Sequence, residues 1–196
     1  MPKPSNIRRA LSALLVILST VVTVATAETA PIPAGVQLLL FSRIWMFDRS
    51  VAGNGRMVMA VLYQSRFRAS SEAKDQLIAA VRGQGLNIQC VPVALDDSEH
   101  VSNDLQQVKA DVFYLTEMRG IDISDVVRVS RTRHIKTITV TTGYVEAGIA
   151  IGLRVRNDRP VIVVNLNAAK AEGSDLTAQL LRSATLIDEA APQSAR

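Results

Sequence analysis

Four short apolar runs constrain this chain most: Met57 to Tyr63, Leu86 to Leu95, Val112 to Leu115 and Thr137 to Thr141 read as strands. Helical spacing fills the gaps between them. Ser70-Ser71-Glu72 opens a helix whose Ala73, Leu77, Ile78 and Val81 share one face, and Gly83 and Gly85 close it. Asp97 or Ser98 is placed to cap a short polar helix through Lys109, and Asp122 to Arg133 forms the next. Alternation of this kind predicts an α/β fold with parallel strands, flanking helices and right-handed crossovers. Pro92 has no amide hydrogen to donate, so the second run is broken or lies at a sheet edge.

The flanks differ from this middle. Val36 to Phe47 is more apolar than one helical stripe requires, so period does not decide between helix and strand; helix is the reading adopted. Gly53-Asn54-Gly55 offers a turn before Met57. Downstream, Ala147 to Arg156 and Val161 to Val164 flank the polar turn Asn157-Asp158-Arg159-Pro160, which predicts an antiparallel hairpin. Asn165 or Asn167 then caps a short helix through Ala171, Gly173 breaks it, and Leu176 to Ile187 resumes helical spacing. The expected architecture is one domain over residues 36–188: a mixed, mostly parallel sheet flanked by helices, with a C-terminal antiparallel hairpin and helix. Residues 28–35 read as a leader and 189–196 as a frayed tail.

The start has three zones of an export signal: basic Lys3, Arg8 and Arg9, an apolar run from Ala10 to Val24, and the small-x-small site Ala25-Thr26-Ala27. The reading is a cleaved signal peptide over residues 1–27 and an exported mature protein without a membrane anchor; an uncleaved membrane helix is the competing reading. The signal holds three basic and no acidic residues, so the net charge of +4 falls by three to +1 on cleavage. A nearly neutral chain with 4% aromatic residues gives no reason to expect nucleic-acid binding.

Chemistry-bearing residues are sparse. The single Cys90 excludes an internal disulfide and a thiolate-rich zinc site, and its neighbours Ile88, Val91 and Val93 place it on a buried strand. Asp96, Asp97, Glu99 and His100 could be assembled into a metal site, but their spacing matches no ligand motif, and a solvated acidic helix start is the plainer explanation. Asp96, Asp97, Glu117, Asp122 and Asp125 fall near strand and helix ends, where a doubly wound sheet places a ligand crevice. No phosphate loop, dinucleotide fingerprint or nucleophile elbow occurs. The residues call for no cofactor and no catalytic set, which favours binding or regulation over catalysis.

The most specific pattern is C-terminal. Gly148 to Arg156, then Pro160-Val161-Ile162-Val163-Val164-Asn165-Leu166-Asn167-Ala168-Ala169-Lys170, then Gly173 and Leu180-Leu181-Arg182-Ser183-Ala184, resembles the YfiR-like family of bacterial periplasmic regulators. The resemblance covers roughly residues 36–187 and is densest after Gly148. It implies a non-catalytic α/β protein that restrains an inner-membrane diguanylate cyclase through the cyclase's periplasmic sensor domain, lowering cyclic di-GMP in the cell. The better-known members look disulfide-bonded, a control that a chain with Cys90 alone does not carry. Phe41, Trp45, Met46 and Phe47 are the candidate partner-binding residues if the first helix is exposed, with core packing as the alternative. A homodimer stays open. The competing function is a solute-binding component of an ABC-type uptake system, disfavoured because the chain supplies only one lobe.

Overall fold

The computed structural model describes residues 31–51 and 55–187. The expected signal peptide, most of the Gly53-Asn54-Gly55 turn and the tail from 189 lie outside them. The first described element is helix α1 (Ala34–Met46), followed by strand β1 (Met57–Tyr63), α2 (Arg68–Gln84), β2 (Ile88–Ala94), α3 (Val101–Gln107), β3 (Val112–Leu115), α4 (Ile123–Arg133) and β4 (Lys136–Thr139). The hairpin strands β5 (Ile151–Arg156) and β6 (Arg159–Asn165) come next, then α5 (Leu166–Ala171), α6 (Ala178–Ser183) and β7 (Thr185–Ile187).

Among the described residues the strands form one seven-stranded sheet in the order β2-β1-β3-β4-β5-β6-β7. β2, β1, β3, β4 and β5 are parallel, β6 is antiparallel to β5, and β7 is parallel to β6. Pro92 therefore sits on an edge strand, where its missing donor costs no ladder bond. Strand alternation divides the core between the two faces. Met59, Val61, Val112, Tyr114 and Ile138 pack against α1, α2, α5 and α6. Ala60, Leu62, Phe113 and Leu115 pack against α3 and α4 on the other side.

Local chemistry explains the boundaries. Asp122 caps α4 by accepting from Ser124 N at 2.9 Å, and Asn165 caps α5 by accepting from Ala168 N at 3.0 Å. Gly85, at φ 61°, ends α2 in the left-handed conformation. The hairpin turn is tighter than its composition suggests: Asn157 and Asp158 alone carry positive φ, 50° and 57°, and Arg159 and Pro160 already belong to β6. A Cβ on Gly152 would meet Val145 Cγ2 at 2.4 Å, so only glycine lets the 143–148 turn close against β5.

Three expectations need correction. The helix expected through Ile187 ends at Ser183, and Thr185, Leu186 and Ile187 extend the sheet because β6 offers them an unpaired edge. The helix expected from Asp97 begins only at Val101, because the Asp97 carboxylate accepts from Glu99 N at 2.9 Å and builds a turn instead. Cys90 is half-buried rather than buried, since β2 is an edge strand covered on one side only.

Candidate functional site

Reversal of strand order beside β1 creates a topological switch point: the chain leaves β1 for β2 on one side and returns to β3 on the other. At the carboxyl ends of β1, β3 and β4 lies a cleft of about 770 Å³. Gln37 from α1, Ala69, Ala73 and Gln76 from α2, Thr116, Glu117 and Met118 after β3, and Thr141, Thr142 and Tyr144 after β4 line it.

The buried polar side chains of the cleft, Gln37, Tyr114 and Thr116, are already engaged. Thr116 Oγ1 donates to the Leu62 carbonyl at 2.9 Å and shares a 2.6 Å bond with the Ser70 hydroxyl, which accepts from Gln64 N at 2.9 Å. Tyr114 donates to Gln37 Oε1 at 2.7 Å, and Gln37 Nε2 donates to the Ile32 carbonyl at 2.6 Å. Burial holds the Tyr114 phenol well above its ordinary range, so it is a donor and not a base. Tyr144 accepts from Met118 N at 2.9 Å and donates to the Met118 carbonyl at 3.2 Å. Glu117 is the carboxylate that faces the cleft, and it is exposed. A closed lattice of this kind supports a rigid binding surface. It presents no nucleophile paired with a base.

The five carboxylates placed at element ends by the sequence do not converge. Glu117 lines the cleft, while Asp96 and Asp97 line a separate depression of about 370 Å³ with Arg66 and Arg119. Asp96 accepts from Ser65 N at 2.7 Å and Ser65 Oγ at 2.6 Å, and the serine hydroxyl helps hold its pKa below the usual carboxylate value. Asp97 bonds Glu99 N and His100 Nδ1, both of which lower its pKa. Asp122 is spent as a cap, and Asp125 pairs with Arg128. Among the described residues no three His, Cys, Asp or Glu side chains gather as metal ligands. The Cys90 thiol is pushed up by burial, the opposite of an activated nucleophile.

The four docking candidates separate by helical phase. Phe41 and Trp45 are corrected to core positions: Phe41 is fully buried and Trp45 is 7% exposed, because both lie on the face of α1 that packs against the sheet. Met46 is 75% exposed, and Phe47 is half-buried against the core rim. Sequence reasoning missed Val36 and Leu39, 38% and 52% exposed, which share the outward face of α1 with Met46. Their spacing of three and seven residues was the available signal.

With this geometry in hand, the chain can be set beside known proteins. It belongs to the YfiR/HmsC-like family, which it matches over residues 48–185. The YfiR-like family as a whole implies periplasmic regulation of cyclic di-GMP signalling in general. No curated protein matches. Among solved structures, the chain is similar to the ligand-free, open form of a substrate-binding protein with adhesive properties from Clostridium difficile. That match has TM-score 0.67 and 15% identity, and covers 81% of this chain and 61% of the other. A conserved domain protein from Vibrio cholerae gives TM-score 0.62 at 17% identity over 79% of this chain and 60% of that one. An ABC domain in complex with L-Trp from Streptococcus pneumonia gives 0.62 at 14%, over 79% and 62%. The chain thus spans about three fifths of the length of these solved chains, and the likeness shows the shared α/β fold. Among the described residues no helix is long and apolar enough to cross a membrane.

Proposed function

We propose that this protein restrains an inner-membrane diguanylate cyclase by docking on the cyclase's periplasmic sensor domain, with the outward face of α1 as part of the contact. The family match over residues 48–185 is the observation that carries this reading. α1 lies just before the matched span, so its role rests on its surface: Val36, Leu39 and Met46 keep apolar side chains in water on a helix whose other face is fully packed. The test replaces Met46 with a photo-crosslinking residue in cells and measures cyclic di-GMP alongside the crosslinked species. A cyclase sensor domain at position 46, and a rise in cyclic di-GMP on deleting the protein, are the expected results. Unchanged cyclic di-GMP after deletion would defeat the proposal.

A second reading, a solute-binding component of an uptake system, draws support from the switch-point cleft, which is of the size small-molecule sites occupy. A thermal-shift screen separates the two. A ligand at a hundred times its dissociation constant should stabilise the fold by about 2.7 kcal/mol.

A further inference from the structure

The end of the sheet where the parallel strands begin carries a different surface from the cleft end. Asp111 and Lys136 meet there, with Lys136 N donating to the Asp111 carbonyl at 3.1 Å, and both line a depression of about 260 Å³ together with Arg133, His134, Met57 and Val51. Arg56 immediately precedes β1, and Lys109 stands just before β3. Lys170, near the end of α5, lies three residues before Gly173, where an added Cβ would stand 3.6 Å from His134 Nδ1.

The carboxylates of this end are all spent on the protein's own backbone or partners. Asp111 accepts from Val58 N at 2.8 Å. Glu172 is buried on Thr137 and Ser130, Asp48 is buried on Ser50 and Asp175 N, and Asp175 faces Arg49 at 3.6 Å. Among the described residues Arg56, Lys109, Lys136 and Lys170 form no ion pair. Among the described residues, the cations of this end, Arg49, Arg56, Lys109, Arg133, Lys136 and Lys170, outnumber its carboxylates Asp48, Asp111, Glu172 and Asp175, so positive charge is in excess there.

We propose that this end binds the surface of an anionic phospholipid bilayer and orients the protein on it. The cations come from separate elements and do not converge on a pocket, and three of the four are lysines, compact point charges without the bidentate fork that recognises one fixed partner group. A fluid surface whose headgroups rearrange under the protein satisfies such spread charge. A tight protein contact would instead need desolvated aromatic or arginine anchors, and the exposed side chains here supply none of the aromatic kind. The proposal is separate from sensor docking, because it uses the sheet end and not the outward face of α1.

The test uses protein expressed as the full chain and recovered from the periplasmic fraction, sedimented with vesicles of phosphatidylglycerol mixed with phosphatidylcholine or of phosphatidylcholine alone. About tenfold more protein should sediment with the anionic vesicles, and the difference should vanish as salt rises from roughly 0.05 to 0.5 M. The combined variant Lys109→Glu, Lys136→Glu, Lys170→Glu should lose the preference. Arg56→Glu with Lys109→Glu, both at exposed positions, should weaken it without altering the melting curve, and Glu117→Gln at the opposite end should leave it intact. Equal sedimentation with both vesicle types overturns the proposal, as does an unaltered preference in the charge-reversed variants. Since these vesicles contain no protein, either result leaves the sensor-docking reading standing, and capture of a sensor domain by this end in place of vesicles would reassign it to an acidic protein surface.

Discussion

α1 carries apolar side chains on both faces, with opposite roles, although the outward one also carries the exposed Arg43. Inward, Leu38, Phe41, Ile44 and Trp45 are packed, with the Phe41 ring 6.4 Å from Trp45 and edge-on to Tyr114 at 6.2 Å. Outward, Val36, Leu39 and Met46 stand in solvent. Apolar content does not by itself identify a docking site. The phase of each residue around the helix does, because burial on one side leaves the other side free to mean something else.

The largest effect should come from the inward face. Phe41→Ala removes a fully buried ring from the centre of the larger core cluster and should lower unfolding free energy by about 3–5 kcal/mol in urea titration. Leu39→Ala, one helical step away, should cost less than about 1 kcal/mol. Similar losses at the two positions would erase the distinction between the faces.

A buried charge extends the contrast beyond the helix. Glu172 has no exposed surface, and burial raises its pKa to about 7 against hydrogen bonds from Thr137 N, Thr137 Oγ1 and Ser130 Oγ and the nearby Arg131, which pull it down. The carboxyl is more easily kept neutral in the folded state than in the unfolded one, where its value is 4.5. Its contribution to stability is therefore fully present below pH 4.5 and is lost as pH rises through about 7, a swing on the order of 3 kcal/mol. Chemical denaturation at a series of pH values from about 5 to about 8 should show stability falling with pH, and Glu172→Gln should flatten that slope. A slope unchanged by the substitution would assign the dependence to another group.

How much of this was legible in the sequence differs between the two halves of the molecule. Met57–Tyr63 and Val112–Leu115 were readable to the residue, because short apolar runs between helical segments admit one reading. Thr185–Ile187 was not, since Leu176 to Ile187 fits helical spacing and only the open edge of β6, a tertiary fact, converts its end to strand. Residue type narrowed the cap of α5 to Asn165 or Asn167, and the choice of Asn165 goes with a second bond, Asn165 Nδ2 to the Val145 carbonyl at 3.2 Å, that joins segments 20 residues apart and leaves no local trace. The cleft was legible as geography only. Glu117 was named for its position at a strand end, whereas Gln37 and Tyr144 reach the cleft from outside the alternating units that located it.

Tyr114→Phe probes the seam between the faces. The hydroxyl is buried and donates to Gln37 on α1, so its removal should cost about 1–2 kcal/mol by leaving the Gln37 carbonyl oxygen unpaired. Pairing it with Gln37→Leu tests whether the bond is the cause. If the cost arises from the orphaned acceptor, the double variant should recover part of it in the same urea titration. A purely additive double variant would show that the ring and the amide contribute independently.

The smallest effect on stability should accompany the largest effect on signalling. Met46 is 75% exposed, so Met46→Glu exchanges little buried surface and should change unfolding free energy by no more than about 0.5 kcal/mol. On a docking face the same substitution places a charge where an apolar contact forms on association, and that charge must be desolvated without a partner. Cells carrying Met46→Glu should therefore resemble the deletion strain in cyclic di-GMP content while retaining normal protein levels by immunoblot. Leu39→Glu, on the same outward face, should behave alike, and Ala79→Glu, at an exposed position of α2, should not. Were Met46→Glu as active as the parent, the outward face of α1 would be surface without a partner, and the contact would have to be sought within residues 48–185 themselves.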